Sequence, residues 1–171
     1  MFRSLVVLTG TLVLGISAWA HQEHREHGAH VHGKGTISVA FDDKKGEIDF
    51  HTAAMGIVGF EHDAKSKKDI KTKDDAFAKF ENEIMNMIHF DANLNCKYAK
   101  KSMEMKKDED GDHSDFNASF DVLCDKSPLG STVTFNFSMW PAMHEVDATV
   151  LVGTLQKSVN IKNKIVSLDL K

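Results

Sequence analysis

The sequence has only two cysteines and two prolines among 171 residues, and it lacks a Gly-rich phosphate loop, an internal repeat and a Pro-rich linker. Beyond the first twenty residues, no apolar run is long enough to span a bilayer. The formal net charge of −4 argues against nucleic acid and anionic lipid as partners, since both attract basic proteins. His144-Glu145 starts like a zinc protease helix, but Ala148 stands where His-Glu-x-x-His needs its second histidine. We therefore expect a protein that is not an enzyme.

The N-terminus has the pattern of an export signal. An apolar run from Leu5 to Ile16 follows Arg3 and ends in Ala18-Trp19-Ala20. A short positive start, a run too short for a comfortable membrane span and a small-x-small site are typical of a cleaved signal peptide. We expect residues 1–20 to be removed and the mature chain to begin at His21.

The two cysteines, Cys96 and Cys124, form an isolated pair. In an oxidising compartment outside the cytoplasm such a pair favours one disulfide. The alternative is a pair of thiolate metal ligands, although neither cysteine belongs to a Cys-x-x-Cys motif.

Histidines follow the signal segment at high density: His21, His24, His27, His30 and His32. Neutral imidazole is the commonest protein ligand for borderline transition metals. His30 and His32 are two residues apart, so on an extended segment both rings leave the same face and can reach one ion. The first three histidines, next to Gly28 and the chain end, suit a flexible collecting arm. We expect residues 21–34 to form a His-rich metal-binding arm; the alternative is a solvated polar tail.

Candidate ligands also occur further along the chain. Glu61-His62 offers the oxygen and nitrogen donors that zinc accepts, and the alternative for this pair is a surface ion pair with Lys65 and Lys67. His113 is a third candidate, in an acidic loop that fails the calcium EF-hand pattern. The remaining histidines are isolated and are more typical of hydrogen-bonded structural residues: His51, His89 and His144.

Copper gives the competing interpretations. At His21 the α-amino group and the imidazole together suit Cu²⁺, which allows a copper enzyme or a general buffer for Cu²⁺ or Ni²⁺ that binds through the arm. Methionine pairs resemble thioether sites for Cu⁺, but packing accounts for them: Met85 with Met87, and Met103 with Met105.

The apolar pattern predicts an α+β fold over residues 35–171, a single domain. One amphipathic helix is expected over Lys73–Phe90, from apolar residues at three- and four-residue steps. Period-two alternation predicts a hairpin over residues 36–51 and strands within 116–124, 133–139, 146–152, 155–161 and 165–170. We expect an antiparallel sheet packed against the helix.

Several motifs, in this order, resemble the ZrgA-like periplasmic proteins: His30-Val31-His32-Gly33, Val58-Gly59-Phe60-Glu61-His62, the cysteine pair, His113-Ser114-Asp115-Phe116 and Trp140-Pro141. The similarity runs from about His30 to the C-terminus. That family comprises zinc-binding accessory factors for high-affinity zinc uptake in Gram-negative bacteria.

The resemblance implies a periplasmic protein that captures Zn²⁺ and assists an ABC-type zinc importer. By position it implies metal roles for five residues: His30, His32, Glu61, His62 and His113. The chain departs from the family in one respect, because its loop from Lys106 to His113 is short and holds a single histidine. We interpret the N-terminal arm as having taken over the collecting role of that loop.

Overall fold

The computed structural model describes residues 33–107, 111, 113–162 and 165–171. Within these residues the chain forms nine strands and one α-helix, α1, over Lys67–Met87. The strands are β1 (Lys34–Asp42), β2 (Lys45–Ala53), β3 (Ile88–Phe90), β4 (Lys97–Lys107), β5 (Ser114–Leu123), β6 (Thr132–Asn136), β7 (Glu145–Val152), β8 (Leu155–Ile161) and β9 (Ile165–Asp169).

The strands form two sheets. The larger has the order β4-β5-β2-β1-β7-β8 and the smaller the order β3-β6-β9. The predicted hairpin is confirmed as β1–β2, where Asp42 pairs with Lys45 across a two-residue turn. Asp43 adopts a positive φ of 52° in that turn, a conformation that Asp tolerates better than most residues.

The expectation of a wholly antiparallel sheet is wrong. β1 and β7 pair in parallel in the middle of the larger sheet, and a second sheet makes the chain richer in strands than the predicted fold. A tight hairpin forces its strands to be antiparallel, but β7 returns to β1 only after the helix and five other strands. This long excursion permits the parallel alignment.

Helix α1 begins six residues earlier than predicted and ends three residues earlier. The hydroxyl of Ser66 caps it by accepting a hydrogen bond from the Asp69 amide at 3.1 Å. The predicted helix began too late because the first turns of α1 are solvated and rich in lysine, so they carry no apolar stripe. At the C-terminal end of α1 the chain enters β3 directly. The apolar residues of β3 continue the helical spacing by chance, which is why the predicted helix was three residues too long.

A single apolar core lies between the inner face of the larger sheet and a second layer, which consists of α1 and the smaller sheet. Phe80 of α1 is fully buried, and its ring centroid lies 4.8 Å from that of Phe116 and 5.0 Å from that of Phe50. From β3, Phe90 contacts Phe41 near the end of β1. These contacts fix α1 along the sheet, with its N-terminus near the start of β5.

The disulfide is confirmed between Cys96 and Cys124, which rules out the thiolate pair. It joins the residue before β4 to the residue after β5, next to the register pair Lys97–Leu123. Strand β4 was not predicted because a bulge between Lys100 and Ser102 breaks its alternation. In the described part of the chain, no helix is long and apolar enough to cross a membrane.

Candidate metal centre

Four neighbouring strands of the larger sheet, in the order β5-β2-β1-β7, have an end at the same edge, which we call the Gly33 end. Gly33 lies directly before β1, whose first residue Lys34 pairs with Glu145 at the start of β7. Next to them, Ala53 at the end of β2 pairs with Asp115 near the start of β5. The Gly33 end therefore collects the segments before β1, after β2, before β5 and before β7.

Glu61 and His113 come together at this end. After β2 the chain makes a short 3-10 turn over Ala54–Gly56, buries Ile57 and Val58, and bends at Gly59, whose φ is +87°. The bend places the Glu61 carboxylate 2.5 Å from Nδ1 of His113. The side chain of Glu61 is 7% exposed, whereas that of His113 is 48% exposed. A buried carboxylate thus holds an imidazole that solvent can reach.

The hydrogen bond determines which nitrogen of His113 can bind a metal. An ionised carboxylate can only accept, so Nδ1 of His113 donates, and in the neutral ring Nε2 then carries the lone pair. Carboxylate–histidine pairs of this kind orient metal-binding imidazoles and raise their basicity. The geometry therefore favours Nε2 of His113 as a ligand atom, with Glu61 as the group that positions the ring.

His62 is held at the same turn by different contacts. Its ring stacks on Phe60 with centroids 4.5 Å apart and planes 12° apart. Nδ1 of His62 lies 3.1 Å from the backbone oxygen of Asp63, an acceptor, so Nε2 again carries the lone pair. The described residues contain no group of three or more His, Cys, Asp or Glu side chains that could hold a metal ion.

Lysines surround the neighbouring carboxylate of Asp63. The ammonium of Lys65 lies 3.2 Å from it and that of Lys107 lies 3.6 Å from it. The hydrogen bond from Lys65, with a smaller contribution from the charge of Lys107, lowers the pKa of Asp63 below its usual value. Lys65 thus forms an ion pair with Asp63, the residue that follows His62. An ion pair of this kind was the alternative considered for Glu61-His62.

The arm histidines lie outside the described residues, and their metal roles stay predictions: His21, His24, His27, His30 and His32. Their point of attachment is nevertheless fixed, because His32 is bonded to Gly33. β1 and β5 are separated by β2 alone, so Gly33 lies about 10 Å across the sheet from the start of β5. The arm therefore joins the sheet at the end that carries Glu61 and His113.

The isolated histidines lie in three different places. His51 lies on the solvent face of β2, with Nδ1 2.9 Å from the amide oxygen of Asn117. His89 lies in β3, beside Phe90, which contacts the far end of β1, roughly 25 Å from Gly33. His144 lies at the Gly33 end, where its backbone amide donates to the Gly33 carbonyl.

Packing accounts for Met87, Met103 and Met105, as expected. Met87 is buried and accepts a hydrogen bond from the Trp140 indole, whereas Met85 is 50% exposed on another face. Met103 and Met105 share the inner side of β4 and pack against the core.

The geometry describes a β-rich protein that presents an imidazole, oriented by a buried carboxylate, beside the attachment point of a His-rich segment; these are the donor types of a metal-binding protein. A sequence model of the ZrgA family of zinc uptake proteins matches residues 29–170, and the chain belongs to that family. Comparison with curated proteins gave no match. Family membership gives the protein a role in zinc uptake and confirms the resemblance drawn from its motifs.

Proposed function

We propose that this protein is a periplasmic, non-enzymatic carrier that captures Zn²⁺ and passes it to an ABC-type zinc importer. The observation that carries the proposal is the Glu61–His113 pair. It places a half-exposed imidazole against a buried carboxylate at the Gly33 end. Membership of a family of zinc uptake proteins supports zinc as the metal.

Capture requires three or four donors around the ion. His113 supplies Nε2, and His62 offers a second Nε2 at the neighbouring turn. In this proposal the remaining donors are His30 and His32, since they precede β1 in the chain and β1 begins at the same end of the sheet. The first arm histidines, His21, His24 and His27, collect ions and deliver them to this centre.

Transfer to an importer requires ligands that can be released one at a time. His113 is about half exposed and is the residue directly before β5, so its bond to a metal can be broken without disturbing the core. Glu61 is buried, so it can keep the ring aligned for the next ion. A rigid positioning group with an exposed ligand suits binding followed by release.

Zinc content and zinc affinity test the proposal together. Protein purified from its native periplasm without added metal is expected to contain about one zinc per chain, measured by elemental analysis. His113→Ala is expected to lower the zinc affinity by tenfold or more in competition with a chromogenic chelator. The control is His89→Ala, which removes an exposed histidine at the opposite end of the molecule. Copper in the native protein, or equal affinities in both variants, would contradict the proposal.

A further inference from the structure

The outer face of the larger sheet has an apolar depression where β2, β5 and β4 lie side by side, which we call the Leu123 depression. It encloses about 390 Å³, and its lining includes Ala99 of β4 and Leu123 of β5. The side chain of Leu123 is 51% exposed. β5 starts at the Gly33 end and Leu123 is its last residue, so the depression lies roughly 30 Å from the candidate metal centre. A ligand bound here would therefore not contact the captured metal.

Two lysines flank Leu123 on this face. In the register of the sheet, Lys45 of β2 and Lys97 of β4 both lie directly opposite Leu123, one on each side. Directly opposite residues on antiparallel strands project from the same face, and neighbouring strands lie about 4.7–4.9 Å apart. The backbones of the two lysines are therefore about 10 Å apart, with the leucine side chain between them. At this spacing both ammonium groups can reach one anion held over Leu123.

The described residues do not neutralise these two lysines. In the part of the chain that the structure describes, neither Lys45 nor Lys97 has a carboxylate within ion-pairing distance. Asp121 also lines the depression, but its charge acts on Lys101. The hydrogen bond with Glu47 raises the pKa of Lys101, and the charge of Asp121 makes a smaller contribution to the same shift. Positive charge therefore remains on both sides of Leu123.

Covalent and main-chain bonds hold the three strands in place around the Leu123 depression. The disulfide Cys96–Cys124 joins the residue directly before Lys97 to the residue directly after Leu123. The amide of Cys124 also donates to the carbonyl of Lys44, the residue before β2, at 3.0 Å. The spacing of the flanking strands is thus fixed before any ligand arrives, and such preorganisation reduces the entropic cost of binding.

We propose that the Leu123 depression binds a small monocarboxylate with an apolar body. Its hydrocarbon part covers Leu123, and its carboxylate lies between the ammonium groups of Lys45 and Lys97. Small-molecule sites typically enclose about 300–1,000 Å³ and combine a mostly apolar lining with a few polar groups that fix the orientation of the ligand. A protein partner fits less well, because eight residues form the depression, whereas a protein interface uses about 20–30 residues on each side.

Octanoate is the probe, and its binding to the purified protein is measured by isothermal titration calorimetry at pH 7.5 with a chelator present. The Lys45→Gln/Lys97→Gln variant is expected to bind octanoate about tenfold more weakly or worse, because it removes both charged hydrogen-bond donors. The matched control is Lys67→Gln/Lys68→Gln, which removes two exposed charges at the start of α1 and should bind within about twofold of the parent. Equal losses in the two variants, or no saturable binding by the parent, would overturn the proposal.

Three further measurements separate the contribution of the charge from that of the apolar body. Acetate carries the carboxylate without the chain and octan-1-ol carries the chain without the carboxylate, so each should bind much more weakly than octanoate. Leu123→Ser should also weaken octanoate binding, while its unfolding temperature stays unchanged because Leu123 is exposed. If octan-1-ol binds as tightly as octanoate, or if Leu123→Ser binds octanoate like the parent, the proposal is wrong.

Discussion

Replacing Glu61 by glutamine tests whether the buried carboxylate positions His113 for metal binding. Glutamine has nearly the same shape and keeps an oxygen that can accept from Nδ1 of His113, but it lacks the charge. The carboxylate is 7% exposed, so its charge-assisted hydrogen bond of 2.5 Å to His113 is shielded from water on the Glu61 side. Loss of a partner of this kind lowers metal affinity about 10- to 100-fold, or about 1.4–2.7 kcal/mol. We expect Glu61→Gln near the lower limit and Glu61→Ala, which also removes the acceptor, near the upper.

The assay is competition for Zn²⁺ with a chromogenic chelator at pH 7.5. Asp63→Asn is the matched control, because it removes the same charge two residues away from a carboxylate that bonds to lysines rather than to a histidine. Its affinity should stay within about twofold of the parent. If Glu61→Gln binds zinc as tightly as the parent, or if Asp63→Asn loses as much as Glu61→Gln, the positioning role of Glu61 is refuted.

Two further predictions concern stability. Because the Cys96–Cys124 bond joins residues 28 positions apart, its reduction is expected to lower the free energy of unfolding by about 3–4 kcal/mol. Urea denaturation with and without reductant measures this loss, and an unchanged midpoint would contradict the prediction. Hydrogen bonds from lysine ammonium groups lower the pKa values of Glu47 and Asp63. The stability that these two carboxylates contribute is therefore present above about pH 4, and it is lost as the pH falls through their folded-state pKa values. With chelator present, the urea midpoint should fall less between pH 5 and pH 3 in a Glu47→Gln/Asp63→Asn double variant than in the parent; equal falls would contradict the prediction.

Local patterns in the sequence predicted the regular elements best. The strands from β5 to β9 follow from period-two alternation, and β8 has the predicted bounds, 155–161. Elements that break their own pattern were missed. β4 changes phase at its bulge, and the first turns of α1 have no apolar stripe because lysines cover them.

Contacts between distant residues could not be predicted from spacing. Glu61 and His113 are 52 residues apart, and only the fold shows that one carboxylate is buried against one ring. The resemblance implied roles for both residues, but it did not distinguish a ligand from the group that orients it. The parallel pairing of β1 with β7 was missed for the same reason, because no local pattern in the sequence indicates which strand a returning chain will pair with.

The position of β1 has a mechanical consequence. β1 is paired on both sides, with β2 and with β7, along nearly its whole length. Ladder hydrogen bonds run across the strands, so tension applied along β1 loads them together rather than one after another. A force applied to the chain at Gly33 along the strand axis is therefore opposed by both ladders at once, and β1 gives way only when the sheet shears.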